Sequence, residues 1–139
     1  MIRVALLDDH PFTLQAVKMN LALEDDIDVV ATFSDGRGLL GHLIDLSPDV
    51  FLTDLMVPNH DPLALVTALA RELPETRVGV ITGSVDVGLF RRLLAAGVRA
   101  IQLKGDRQDL AAIVRTLHAG ERYLSDEAAR RLGIQPGSA

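Results

Sequence analysis

The chain has 139 residues, of which 48% are hydrophobic and 24% charged, with a net charge of −5 and no cysteine. That length suits one domain rather than two, and the absence of cysteine excludes disulfides and thiolate metal centres. The acidic balance argues against nucleic-acid binding by this chain itself, and no apolar stretch approaches the ~20 residues that a membrane-spanning helix needs. With Met1-Ile2-Arg3 running straight into a strand, the expectation is a cytoplasmic protein without a signal peptide and without membrane contact.

In chain order, residues 2–7 read as a first strand, ending at Asp8-Asp9. A helix opens at Pro11, a residue suited to a first helical position, with Leu14, Val17 and Leu21 facing inward. Residues 27–33 read as the second strand and 36–45 as a glycine-weakened helix. The third strand, from Val50, ends at Asp54, and a loop with two prolines leads to a helix carrying Leu63, Val66 and Leu69. The fourth strand ends at Thr82, and the helix after it, with Leu89, Leu93 and Ala96, stops at Gly97, a suitable C-terminal cap. The fifth strand ends at Lys104. Asp106 or Asp109 starts the next helix, whose inward face is Leu110, Ile113, Val114 and Leu117. Residues 121–139 read as a linker-like tail with a short helix, Ser125 as its N-cap, and a Gln135-Pro136-Gly137-Ser138-Ala139 end.

The strands are short runs of Val, Ile and Leu without clean alternation, which is how strands buried on both faces of a parallel sheet read. Five such units predict an α/β fold, a doubly wound five-stranded parallel sheet of order 2-1-3-4-5, flavodoxin-like, occupying residues 1–120. Asp8, Asp9, Asp54, Thr82 and Lys104 then converge on the carboxyl edge of the sheet, where ligands bind in such folds.

Three carboxylates on one edge repel, each pair at ~4 Å costing about 4 kcal/mol at an effective dielectric of ~20. A hard divalent cation relieves that, since Mg²⁺ takes carboxylate oxygens while keeping waters and a phosphate oxygen in its shell, and Mn²⁺ can substitute. Lys104 adds a compact positive charge; of the 14 basic residues only Lys18 and Lys104 are lysines. A carboxylate is also a competent nucleophile toward phosphorus, and Asp54 is the best placed, with Mg²⁺ on Asp8, Asp9 and Asp54. The Thr82 hydroxyl is a donor for a phosphoryl oxygen. Singly, each of these residues has an ordinary reading as a turn former, cap or surface charge; their joint placement does not. His42 and His118 read as surface residues, His10 and His60 as pocket-bordering ones, and Arg91-Arg92 as a solvated helix face.

Asp8-Asp9, Asp54-Leu-Met-Val-Pro58, Thr82 and Lys104, in this order and spacing, resemble the receiver domain of bacterial two-component response regulators. Asp8-Asp9-His10-Pro11 and His118-Ala-Gly-Glu-Arg-Tyr-Leu-Ser125 look like the NarL/FixJ (LuxR-type) subfamily. The resemblance implies phosphorylation of Asp54 by a histidine kinase, the Met56 carbonyl as a further Mg²⁺ ligand, and movement of Thr82 toward the phosphate. It also implies a changed face over the fourth helix, fifth strand and fifth helix, through which a homodimer is expected. Transcription regulation, with DNA bound only through a helix-turn-helix domain absent from this chain, is the implied output. Met56 and Ser84 flank the site as expected modulators of phosphate lifetime.

The chain departs from the family pattern in three places. Ile101 replaces the usual aromatic switch residue, Gly105 stands where a proline is common, and Pro62 replaces a glycine. A stand-alone or atypical pseudo-receiver acting as a protein-interaction module is therefore the alternative. A phosphomonoester hydrolase is disfavoured by the adjacent aspartates and by the lack of room for a cap.

Overall fold

The computed structural model describes residues 1–135, so the Pro136 to Ala139 part of the expected linker lies outside the described residues. Strands and helices alternate as β1 (Ile2–Leu7), α1 (Pro11–Ala22), β2 (Ile27–Phe33), α2 (Leu39–Leu46), β3 (Val50–Thr53), α3 (Pro62–Glu72), β4 (Arg77–Thr82), α4 (Val87–Ala96), β5 (Ala100–Leu103) and α5 (Leu110–His118). A further pair, β6 (Tyr123–Leu124) and α6 (Asp126–Leu132), follows. The sheet is wholly parallel in the order β2-β1-β3-β4-β5-β6. The expected order is observed, and the expected count of five strands is corrected to six. β6 is only two residues long, too short to show any periodicity, and the backbone N–H of Tyr123 and Ser125 bind it to the Arg99 and Ile101 carbonyls of the β5 edge.

Two apolar layers cover the sheet. On one face Leu39 and Leu43 of α2, Val66 and Leu69 of α3, Phe90 and Leu93 of α4, and Ala128 and Leu132 of α6 pack on Ala5, Leu7, Phe51, Val80 and Ile101. On the other face Leu21 of α1 and Leu110, Ile113, Val114 and Leu117 of α5 pack on Val4, Leu6, Leu52 and Ile81. Successive residues of β1 point to opposite layers, and both layers are apolar, so the strand reads as a continuous hydrophobic run. α6 lies against α4 and β5, and Arg91 donates to the Leu132 carbonyl at 3.5 Å. The flank over α4 and β5 is thus partly occupied by the chain's own C-terminal residues.

The helix ends follow local chemistry. Asp61, Asp86 and Asp109 are N-caps whose carboxylates accept from Ala64, Leu89 and Ala112 N–H, and Pro62 sits in the first turn of α3. Gly97, at φ 120°, closes α4 as expected. α2 begins at Leu39 rather than at Gly36. Gly36 is held against the loop between β3 and α3, where an added Cβ would lie 2.2 Å from the Asn59 carbonyl oxygen. Its N–H is spent on the Pro58 carbonyl.

Candidate functional site

The register aligns Leu7 of β1 with Thr53 of β3, so Asp8 and Asp54, the next residues, leave adjacent strands at the same level. On the far side Leu103 pairs with Thr82, which brings Lys104 to the same edge. Asp8 and Asp54 are buried, Thr82 is fully buried, and Asp9 and Lys104 are half-buried. Four of the five expected residues therefore meet in direct contact or in one cluster, and Thr82 stands beside them, its carbonyl accepting from Lys104 N–H at 2.8 Å while its hydroxyl makes no hydrogen bond to the other four.

Lys104 Nζ bridges the carboxylates, donating to Asp54 Oδ2 at 2.8 Å and to Asp8 Oδ2 at 3.0 Å. The remaining oxygens are also engaged. Asp54 Oδ1 accepts from Leu55 N–H at 2.6 Å and Met56 N–H at 3.4 Å, and Asp8 Oδ1 accepts from His10 N–H at 2.9 Å with His10 Nδ1 at 3.0 Å. Burial works against the Lys104 ammonium, but Asp54 and Asp8 outweigh it and hold its pKa above the ordinary lysine value. Burial likewise pushes the Asp8 carboxyl up, and the bonds from His10 and Lys104 overcome this and hold it below the usual carboxylate value.

Asp9 differs from its neighbours. Its Oδ1 is screened from solvent and has no hydrogen-bond partner, with His10 Nδ1 at 3.3 Å and a charge only if protonated. One ligand atom each from Asp8, Asp9, His10 and Asp54 falls within 4.8 Å of the others. An orphaned carboxylate oxygen inside a cluster of oxygen donors fits a hard cation, which prefers carboxylate ligands and repays their desolvation.

Thr82 Oγ1 accepts from Ser84 N–H at 3.1 Å, and Ser84 is half-buried. Met56 is 69% exposed beside Asp54, and Ile101 is fully buried. His60 is half-buried, its Nε2 3.3 Å from Thr53 Oγ1, and burial pulls its pKa down against the opposing pull of Asp61 and Asp54. His42 and His118 are exposed as expected, His42 stacking on Phe33 with ring centroids 5.7 Å apart. Ser125 does sit at the N-cap of α6, but its hydroxyl accepts from Leu103 N–H at 3.1 Å instead of capping the helix. Sequence reading missed that contact, because it crosses strands; it also missed Thr13 and Gln108, which line the cavity beneath Asp54 and Lys104.

A family model for the response regulator receiver domain matches residues 4–115. Response regulator GacA of Pseudomonas viridiflava is 31% identical over 136 residues, covering 97% of this chain and 64% of that protein. Transcriptional regulatory protein LiaR of Bacillus subtilis is 30% identical over 133 residues, covering 95% of this chain and 63% of that protein. Among solved structures, the isolated REC domain of RcsB from Salmonella enterica serovar Typhimurium, with the phosphomimetic BeF3-, superposes with a TM-score of 0.86 at 26% identity, covering 94% of this chain and 98% of that one. This chain belongs to the response regulator receiver family. Within it, the relatives place it with the NarL/FixJ-type regulators. It spans just under two thirds of the length of those two curated relatives. No helix among the described residues is long and apolar enough to cross a membrane.

Proposed function

We propose that this chain is the phosphoacceptor unit of a cytoplasmic two-component response regulator, taking a phosphoryl group from a histidine kinase onto Asp54. The observation that carries this reading is the Lys104 ammonium bridging Asp54 Oδ2 and Asp8 Oδ2 at a sheet edge whose third carboxylate, Asp9, keeps an unpaired oxygen. The edge holds more negative charge than its own cation neutralises. An incoming divalent cation and a phosphoryl group complete it.

Asp8, Asp9 and Asp54 would hold Mg²⁺, with the Met56 carbonyl as a further ligand; Mn²⁺ would substitute. When bound, the ion neutralises charge on the transferring phosphoryl group. Attack by a carboxylate oxygen of Asp54 forms the O–P bond as the N–P bond of the phosphohistidine breaks, and the imidazole nitrogen leaves with the electron pair. Leu55 N–H steadies the other Asp54 oxygen. Lys104 exchanges one carboxylate contact for a phosphoryl oxygen, and the Thr82 hydroxyl turns from Ser84 N–H to another. Met56 and Ser84, flanking the site, set water access and hence the lifetime of the acyl phosphate.

The output route runs through β5. Ile101 is a stiff β-branched side chain packed in the core, unsuited to the swinging motion of an aromatic residue. β5 instead carries Lys104 at its end and is tied through Leu103 N–H to Ser125, so displacement of Lys104 reaches β6 and α6 directly. A homodimer through α4, β5 and α5 has to use or displace β6 and α6, and sedimentation with and without beryllofluoride reads that. Transcription control through a DNA-binding domain outside this chain is the proposed output, as the name of LiaR says of that protein.

Incubation with Mg²⁺ and acetyl phosphate, followed by intact-mass measurement, tests the reading. A single acid-labile phosphoryl adduct is expected on the wild type and none on Asp54→Asn. With an active donor and folded protein, no adduct on the wild type favours the pseudo-receiver.

A further inference from the structure

The layer between α1 and α5 does not close at its upper end. A cavity of about 250 Å³ remains there, directly beneath the acidic edge. Its floor is Leu6, Leu52 and Ile81, from β1, β3 and β4, and its apolar wall is Leu14 and Val17 of α1. The floor residues are buried, whereas Thr13, Leu14, Val17 and Gln108 retain exposure, so the mouth lies between α1 and the residues preceding α5. Apolar cavities of about 150 Å³ accept a benzene ring, so this one has room for a ring with a substituent.

The polar lining specifies the substituent. Lys104 Nζ spends two N–H groups on Asp8 and Asp54 and has a third unspent among the described residues. Thr13 also lines the space, and its hydroxyl makes no hydrogen bond among the described residues. A group that accepts from Lys104 and exchanges a hydrogen bond with Thr13 satisfies both. With no divalent cation on the carboxylates, an anion would meet Asp8 and Asp54 at close range, and an organic cation would meet the Lys104 ammonium. The group is therefore neutral.

We propose that this cavity is a binding site for a small neutral molecule with an apolar ring or branched body and one hydroxyl, of phenol size. The hydroxyl takes the third Lys104 N–H and so holds the ammonium on Asp8 and Asp54, which hinders the exchange of a carboxylate contact for a phosphoryl oxygen and slows phosphoryl acceptance. The binding claim goes beyond the phosphoacceptor reading and does not need it. Only the competition rests on that reading.

The test is ¹⁹F NMR of 4-fluorophenol titrated with the full chain, beside 4-fluorobenzoate and 4-fluorobenzylamine, with methyl shifts of the protein recorded in parallel. Saturable binding of the phenol is expected in the low millimolar range, on the order of what eight non-hydrogen atoms supply. The two charged analogues should bind at least fivefold more weakly, and the shifts should centre on Leu52, Ile81 and Val17. Val17→Phe and Leu14→Phe, each checked for folding, should weaken the phenol at least tenfold by filling the space. No saturable binding, shifts centred elsewhere, or equal binding of a charged analogue overturns the site. Acetyl phosphate labelling at saturating phenol should slow at least threefold; an unchanged rate with binding intact overturns the competition alone, whereas no labelling at all without the phenol indicts the phosphoacceptor reading instead.

Discussion

The two ends of the sheet carry charge in opposite ways. At the amino end three arginines find their partners locally: Arg3 donates to the Leu46 and Ser47 carbonyls that close α2, Arg99 donates to the Gly120 carbonyl, and Arg115 grips Asp26 through two nitrogens at 2.8 and 2.9 Å. At the carboxyl end Asp8, Asp9 and Asp54 crowd around one ammonium, and a carboxylate oxygen is left without a partner. Folding alone explains the first arrangement and leaves the second costly. Charge in excess of what the chain neutralises marks the end that meets ions and phosphoryl groups.

Breaking the carboxyl end should produce the largest effect. Lys104→Ala removes the bridging donor, and labelling of Asp54 by acetyl phosphate should slow on the order of 10²-fold, the usual scale for losing one preorganised donor to a developing oxyanion. Mass-resolved time courses measure it. Next, Mg²⁺ at 100 times its Kd should stabilise the wild type by about 2.7 kcal/mol. Asp9→Asn should lose most of that gain, yet be at least as stable as the wild type without metal because it relieves repulsion. Thermal melts with and without Mg²⁺ check both, and a metal-free loss of stability in Asp9→Asn would break the comparison.

At the amino end the effects should be smaller and indifferent to metal. Arg3→Met removes two hydrogen bonds to carbonyls and should cost about 1 kcal/mol in denaturant unfolding, with labelling unaffected. The smallest effect concerns pH. The hydrogen bonds from Arg115 hold the exposed Asp26 carboxyl below its ordinary value, so its contribution is present above the unfolded-state pKa and disappears as pH falls through the lower folded-state value. Asp26→Asn should therefore be slightly less stable near neutrality and show a flatter melting curve against pH below about 4.

The carboxyl end was the more legible of the two in the sequence. Each of its residues directly follows a strand of buried apolar residues, and parallel pairing sends all such ends to one edge, so Asp8, Asp54 and Lys104 could be placed together from periodicity alone. Pro11 and Gly97 were legible as helix ends for equally local reasons, and the start of α5 was narrowed to Asp106 or Asp109, of which Asp109 is the cap. What could not be read depends on contacts between distant residues. β6 has no periodicity and exists because β5 offers an open edge, Ser125 turns from its helix to Leu103, Gly36 delays α2 because the Asn59 backbone presses on it, and the cavity lies over Leu6 and Ile81 where α1 meets the residues preceding α5.

The central claim is that Asp54 receives the phosphoryl group. Reduction of the acetyl phosphate-treated protein with borohydride converts an aspartyl phosphate into homoserine, and peptide mapping then reports its position. The account predicts homoserine at position 54 and nowhere else, dependent on Mg²⁺. Homoserine at position 8 or 9, or none in a chain whose mass shows the adduct, would contradict it.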